Sequence, residues 1–205
     1  MQFNTLTIER EYGSGGTEIA AEISERLGWK LWDQLLTTEI AHRLECPKMH
    51  VEEHEESTDT LTHRLFKAFL RGSFEGSLNA PRLKLADTEN IRKVTEQIVR
   101  SAAKDGNCVI VGRGSAYYLR DLPNVFHAFV YAPFENKVRR IQQRGKSEQD
   151  AIHLAETVDQ DRAAFIKEQF GLVWPPREFF HVMANSAMGD DSVVQTILGA
   201  MHACR

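Results

Sequence analysis

Apolar positions along this chain switch repeatedly between two periods. Residues 3–8 are β-rich and end at Glu9-Arg10. Gly13-Ser14-Gly15-Gly16-Thr17 follows, and then Ile19, Ala20, Ile23 and Leu27 recur at helical spacing up to Gly28, a residue suited to a helix C-terminus. Residues 30–32 form a brief second apolar run that stops at Asp33. A helical pattern runs from about 34 to 44, and Pro47 ends it. Further on, Ile91, Val94, Ile98 and Ala102 mark a helix that stops at Asp105-Gly106. Residues 108–111 and 125–131 are continuously apolar, as strands buried on both faces are. A basic helix includes residues 138–141. Ser147-Glu148-Gln149-Asp150 resembles a capping box and opens a long helix to about 169. Residues 181–184 read as a weak last strand, and Val194, Ile197, Leu198 and Met201 as the closing helix.

Five strands alternating with helices predict a single α/β domain over 1–205: a five-stranded parallel sheet with helices on both faces. Residues 48–87 break the alternation. An acidic stretch precedes an amphipathic helix with Leu61, Leu65, Phe66, Phe69 and Leu70 on one face and Arg64, Lys67 and Arg71 on the other. Forty residues are too few for a separate core, so this segment reads as a helical insertion. His50 and His54 lie four apart there, but no third ligand at a defined spacing completes a metal site.

Composition narrows the classes further. Of 205 residues, 42% are hydrophobic and 26% charged, and 25 basic residues against 29 acidic give a net charge of −4. That excludes a disordered or collagen-like chain and offers no overall basicity for nucleic acid. No stretch approaches the ~20 apolar residues of a membrane span. Cys46, Cys108 and Cys204 form no CxxC pair and read as reduced thiols. With no leader-like N-terminus, the expected location is the cytoplasm. A homo-oligomer is compatible with this pattern, which specifies no number of copies.

In parallel sheets ligands bind at the C-terminal ends of the strands, which directs attention to 10–17, Asp33, Arg113, the segment after Tyr131, and Asn185-Ser186. A glycine-rich turn between strand and helix presents backbone N–H groups at a helix N-terminus, which is a phosphate site. Against G-x-x-x-x-G-K-[ST], Gly15 matches the second glycine and Thr17 the hydroxyl residue that holds Mg²⁺. Gly16 stands at the lysine position and Arg10 at the first glycine. The charge the lysine would supply is therefore missing, and Arg10, at the mouth of the loop, is the candidate replacement. Together Arg10, Gly13, Ser14, Gly15, Gly16 and Thr17 form the expected donor-phosphate site.

Residues 8–16, then Leu27-Gly28-Trp29 and Asp33, resemble the opening of the cytidylate kinase-like family. Residues 109–114, Tyr131-Ala132-Pro133, Asp159-x-Asp161-Arg162 and Asn185-Ser186 continue the resemblance in order over nearly the whole chain. It implies a P-loop nucleoside-monophosphate-kinase fold with the first strand central, a helical acceptor-binding insertion at 48–87 and an arginine-rich lid at 143–176. Close cytidylate kinases carry the loop lysine and an Asp before Gly-Arg, where this chain has Gly16 and Val111. The implied activity is ATP- and Mg²⁺-dependent phosphoryl transfer to a nucleoside monophosphate or similar small phosphate acceptor. Asp33 would orient the acceptor or hold Mg²⁺ through water, or else cap the helix that follows it. Arg113 and Arg64 would bind the acceptor phosphate, and Arg139, Arg140 and Arg162 would neutralise the moving phosphoryl group. Each of these arginines also has a plain alternative as a solvated or ion-paired surface residue. Two other classes stay open at this level: a nucleotide-binding protein on a kinase scaffold with little or no catalysis, and an interaction protein working through the 48–87 helices.

Overall fold

The computed structural model describes residues 3–43 and 88–204. The insertion at 48–87, with Arg64, lies outside the described residues. Strand β1 (Thr5–Arg10) runs into the glycine turn and helix α1 (Gly16–Leu27), which Gly28 ends in the left-handed conformation. Then come β2 (Lys30–Trp32), α2 (Gln34–Arg43), α3 (Thr88–Asp105), β3 (Cys108–Val111) and the short α4 (Ser115–Tyr118). Strand β4 (Val125–Tyr131) leads to α5 (Phe134–Gln143) and α6 (Glu148–Phe170), and β5 (Val182–Asn185) leads to α7 (Asp190–Ala203).

All four strand pairings are parallel, and the order is β2-β3-β1-β4-β5. Strand β1 is therefore central, as the resemblance implied, and β2 is an edge. Period-two alternation along β1 sends Leu6 and Ile8 into a core with Ile19 and Ile23 of α1 and Val193, Val194 and Ile197 of α7. On the opposite face, Leu36, Ile40, Ile98 and Val99 of α2 and α3 pack on Cys108 and Ile110. The capping signal at 147–150 is realised: Ser147 Oγ accepts from the Asp150 backbone N–H at 3.1 Å and starts α6. Two short 3₁₀ turns at Arg177–Phe179 and Ser186–Met188 were not legible in the pattern.

One buried polar pair sets a pH dependence. Thr7 Oγ1 lies 2.7 Å from His127 Nδ1 in the interior of the sheet, and the His127 backbone N–H donates to His181 Nδ1 at 3.0 Å. Burial, then the neighbouring His181, pulls the His127 imidazole from 6.5 down to about 4. The unfolded chain thus binds the extra proton first. The stability tied to neutral His127 is complete above pH 6.5 and is lost as pH falls toward 4. Relative to a His127→Gln variant, wild type should lose about 2 kcal/mol between pH 7 and pH 5, read from urea unfolding at the two values. Parallel pH dependence in the two proteins would remove His127 as the cause.

Candidate functional site

The strand C-termini converge where β1 ends, and alternation places consecutive residues on different sides there. Arg10 continues the Ile8 face, toward α1. Glu9 continues the Thr7 face, toward α4. Next, Gly13 (φ 76°) and Gly15 (φ 81°) take left-handed conformations that wrap the backbone onto the N-terminus of α1. Ser14 is consumed by this wrap, since its hydroxyl donates to the Glu11 carbonyl at 2.8 Å. Thr17 Oγ1 is buried with no hydrogen-bond partner among the described residues. An oriented hydroxyl beside a helix N-terminus is a fitting donor set for phosphate and a hard cation.

Arg10 goes elsewhere than its place in the sequence implied. A Cβ added at Gly16 would lie 2.7 Å from Arg10 Cβ and 2.9 Å from Cγ, so the root of the Arg10 side chain fills the space over Gly16. A Cβ on Gly112 would overlap the guanidinium, which thus lies against the turn after β3. The Arg10 charge is directed toward that turn, and Gly16 is what allows the side chain to pass.

That turn is unusual in backbone conformation. Gly112 (φ 64°), Arg113 (φ 60°) and Gly114 (φ 72°) are consecutively left-handed. For a side chain such as Arg this conformation is costly and is retained only where the surroundings hold it. Arg113 is 3% exposed, so the surface alternative for it is excluded. Burial, then Arg10, then Arg162 lower its guanidinium to about 9, against the support of Asp33 and Glu9. Asp33, also buried, is thus brought electrostatically to Arg113 from the end of β2.

Helix α6 closes the other side. Arg162 donates to the Arg10 carbonyl and to Asp159 Oδ1, the latter at 2.7 Å, and its guanidinium lies 5.6 Å from the Trp174 ring centroid. Asp159 also accepts from the Tyr12 backbone N–H at 2.9 Å and from Lys137 Nζ at 3.3 Å. Lys137 in turn reaches Glu11 Oε2 at 3.2 Å, and that carboxylate accepts from the Ala132 N–H. The network ties α6 and α5 to the backbone at the start of the glycine loop.

The remaining arginines part company. Arg140 forms a two-pronged ion pair with Asp190 at the start of α7 and lies directly against Gly15, where a Cβ would collide with it. Arg144 pairs with Glu18 of α1. Arg139 is exposed on α5. The structure thus brings Arg10, Arg113, Arg162 and Asp33 together, places Arg140 at the outside of the loop, and leaves Arg139 apart. Sequence reasoning missed Glu9, Glu11, Lys137 and Asp190 as members of this constellation. Of the two carboxylates that the sequence offers Arg162 as ion-pair partners, Asp159 and Asp161, Asp159 takes it, three residues earlier on the same helix.

Between these groups lies a cavity of about 20 Å³ lined by Glu9, Arg10, Arg113, Gly114, Arg162 and the apolar Phe165 and Ile166. That is room on the scale of water, far less than a phosphorylated acceptor needs. Three guanidiniums are gathered here beside the carboxylates of Glu9, Asp33 and Asp159, and their N–H groups are suited to an anion.

Among curated proteins, none matches this chain. No helix among the described residues is long and apolar enough to cross a membrane. Solved structures with similar folds include an uncharacterized protein from Eubacterium ventriosum ATCC 27560, at 18% identity and TM-score 0.69 over 98% of this chain and 99% of that one. A gluconokinase from Sinorhizobium meliloti 1021 aligns at 13% identity and TM-score 0.56, over 100% and 95% of the two chains. Shikimate kinase from Acinetobacter baumannii, in complex with shikimate, aligns at 12% identity and TM-score 0.54, over 99% and 95%. At these identities the likeness establishes the P-loop kinase fold alone. The family model described as cytidylate kinase-like matches residues 5–188, and this chain belongs to the cytidylate kinase-like family.

Proposed function

We propose that this protein transfers a phosphoryl group from ATP, with Mg²⁺, to a small anionic acceptor. The observation that carries this reading is that the buried Arg10 and Arg113 and the partly buried Arg162 line one cavity at the strand C-termini, beside a glycine loop at a helix N-terminus. The backbone of 13–17 would hold the donor phosphates, and Thr17 would hold the metal, which supplies charge neutralisation when bound. Asp33 orients the acceptor, and Arg113 clamps its anionic group. Because the cavity is far smaller than any phosphorylated acceptor, α6 must withdraw Phe165 and Ile166 to admit one. We therefore assign 143–176 as a lid and 48–87 as the acceptor-side insertion. A nucleoside monophosphate is one acceptor of the required charge.

The test is ADP release with MgATP and a panel of small phosphates, carboxylates and nucleoside monophosphates. Asp33→Asn should lower turnover ~100-fold or more with MgATP affinity unchanged. Arg113→Ala, which removes a charged hydrogen bond worth ~1.5–3 kcal/mol, should raise the acceptor KM by roughly 10- to 150-fold. Loss of fold in Asp33→Asn would reduce that residue to a helix cap.

The absence of a loop lysine at Gly16 favours a second reading, a nucleotide-binding protein without turnover. MgATP at 100 times its dissociation constant should stabilise the fold by ~2.7 kcal/mol under either reading. Stabilisation without ADP release from any acceptor would select the second.

A further inference from the structure

The glycine loop has no lysine, and the positive charge that lies against it comes from another element. Arg140 springs from α5, which packs directly on the loop: a Cβ on Gly13 would meet the Lys137 carbonyl at 3.0 Å and the Ile141 side chain at 3.1 Å. A Cβ on Gly15 would meet the Arg140 guanidinium, 2.9 Å from its Cζ. That charge is already engaged. Arg140 Nη1 donates to Asp190 Oδ2 at 3.0 Å, and Nη2 donates to Asp190 Oδ1. This end-on pair leaves the remaining guanidinium N–H groups with no hydrogen-bond partner among the described residues. Both residues are partly buried. Arg144, the next turn of α5, is paired too, with Glu18 in the first turn of α1. Neither arginine therefore presents an uncompensated charge to the loop.

A polyphosphate seated on this loop meets an ion pair where an ordinary phosphate loop offers a free cation. We propose that Asp190 is a built-in competitor for the donor phosphates: it holds Arg140 in the ion pair, and a polyphosphate on residues 13–17 binds by taking Arg140 from it. Donor affinity is thereby held below what the loop and Arg140 would give together. The exchange needs only side-chain motion, because α5 stays packed on Gly13 while the guanidinium turns from one anion to another. The polyphosphate prevails because it carries several negative charges where Asp190 carries one. Asp190 is not stranded when Arg140 leaves. Gly189 has no side chain with which to cap α7, and Asp190 and Asp191 in the first turn complement the helix dipole. This inference rests on the proposed reading of the glycine loop as the donor-phosphate site, but it concerns binding and is read without turnover.

The experiment is calorimetric titration of inorganic pyrophosphate and of MgATP into wild type, Asp190→Asn, Arg140→Ala and the double variant, at physiological ionic strength. Asp190→Asn leaves the guanidinium charge uncompensated, so both ligands should bind about three- to tenfold more tightly, the gain expected from no longer breaking a partly exposed ion pair. The melting temperature should fall slightly, because the same pair is lost. Tighter binding in a less stable protein is what separates a competitor from a purely structural pair, whose loss would not improve binding. Asp190→Ser also keeps a first-turn oxygen on α7 and should behave alike, which guards against a folding defect in the first variant. In the Arg140→Ala background, Asp190→Asn should change either affinity by less than about 1.5-fold, since through-space repulsion is screened. Equal or weaker binding in both Asp190 variants would overturn the proposal. A gain of the same size without Arg140 would also overturn it, because Asp190 would then act by repulsion alone. If neither ligand binds any of the proteins, the donor-loop reading fails and this inference with it. Binding to wild type with no gain in the Asp190 variants sinks this inference and leaves that reading standing.

Discussion

Installing the lysine of an ordinary phosphate loop, Gly16→Lys, should disable this protein. The added Cβ would meet Arg10 Cβ at 2.7 Å and Cγ at 2.9 Å, and these are the rigid base of the Arg10 side chain, not its flexible end. Either the loop or the end of β1 must shift. Overpacking of this kind costs ~1–3 kcal/mol. Displacing the Arg10 guanidinium from Gly112 also removes one of three positive charges from the cavity. Loss of one well-placed charged donor typically costs 10²–10³ in rate, so any ADP release by wild type should fall ~100-fold or more. The double variant Arg10→Gly, Gly16→Lys relieves the contact and supplies a loop charge, so it should recover stability and part of the turnover. The two substitutions must be strongly non-additive, because the side chains claim the same volume. Melting temperature and ADP release on the four proteins of this cycle provide the check. A stable and faster Gly16→Lys single variant would show that Arg10 does not exclude the lysine.

Asp159→Ala should be the most destabilising single change outside the apolar core. Asp159 accepts from the Tyr12 N–H, Lys137 and Arg162, and the side chains of the three ion-pairing residues are 11–12% exposed. Removing one member of a buried ion network leaves the others uncompensated, at ~3–5 kcal/mol. For a chain of this length that is roughly 6–20 °C in melting temperature. The control is Glu18→Ala, which breaks the more exposed pair with Arg144 and should cost no more than ~1 kcal/mol. Amide exchange locates the effect. In Asp159→Ala, protection should fall along α6 and at Tyr12 and Gly13, while β1 and β4 keep theirs. The same loosening lowers the barrier to withdrawing Phe165 and Ile166, so an acceptor that binds wild type should reach the cavity faster in the variant. A melting temperature equal to that of wild type would mean the network contributes nothing net.

Most of the architecture was legible because it is local. Continuous apolarity at 108–111 and 125–131 marks buried strands, glycines at 13, 15 and 28 mark turns that only left-handed backbone can make, and Ser147 caps its own helix three residues on. The glycine loop and Asp33 could be named for the same reason: strand–turn–helix order locates strand ends, and strand ends locate ligands. The chemistry of the site was only partly legible, because its partners are far apart in the chain. Tyr12 meets Asp159 across 147 residues, and Arg10 meets Arg162 across 152. Nothing near Arg113 in the sequence shows that it is buried, and nothing near Arg140 shows that Asp190 takes its charge. The sequence by itself determined which segments become strands, helices and the phosphate-binding turn, because backbone propensity and hydrophobic period act over a few residues. Only the tertiary structure decided which arginines face the cavity, which way Arg10 turns and that Glu9 joins them, because burial and charge pairing depend on which strand ends the parallel crossovers bring side by side.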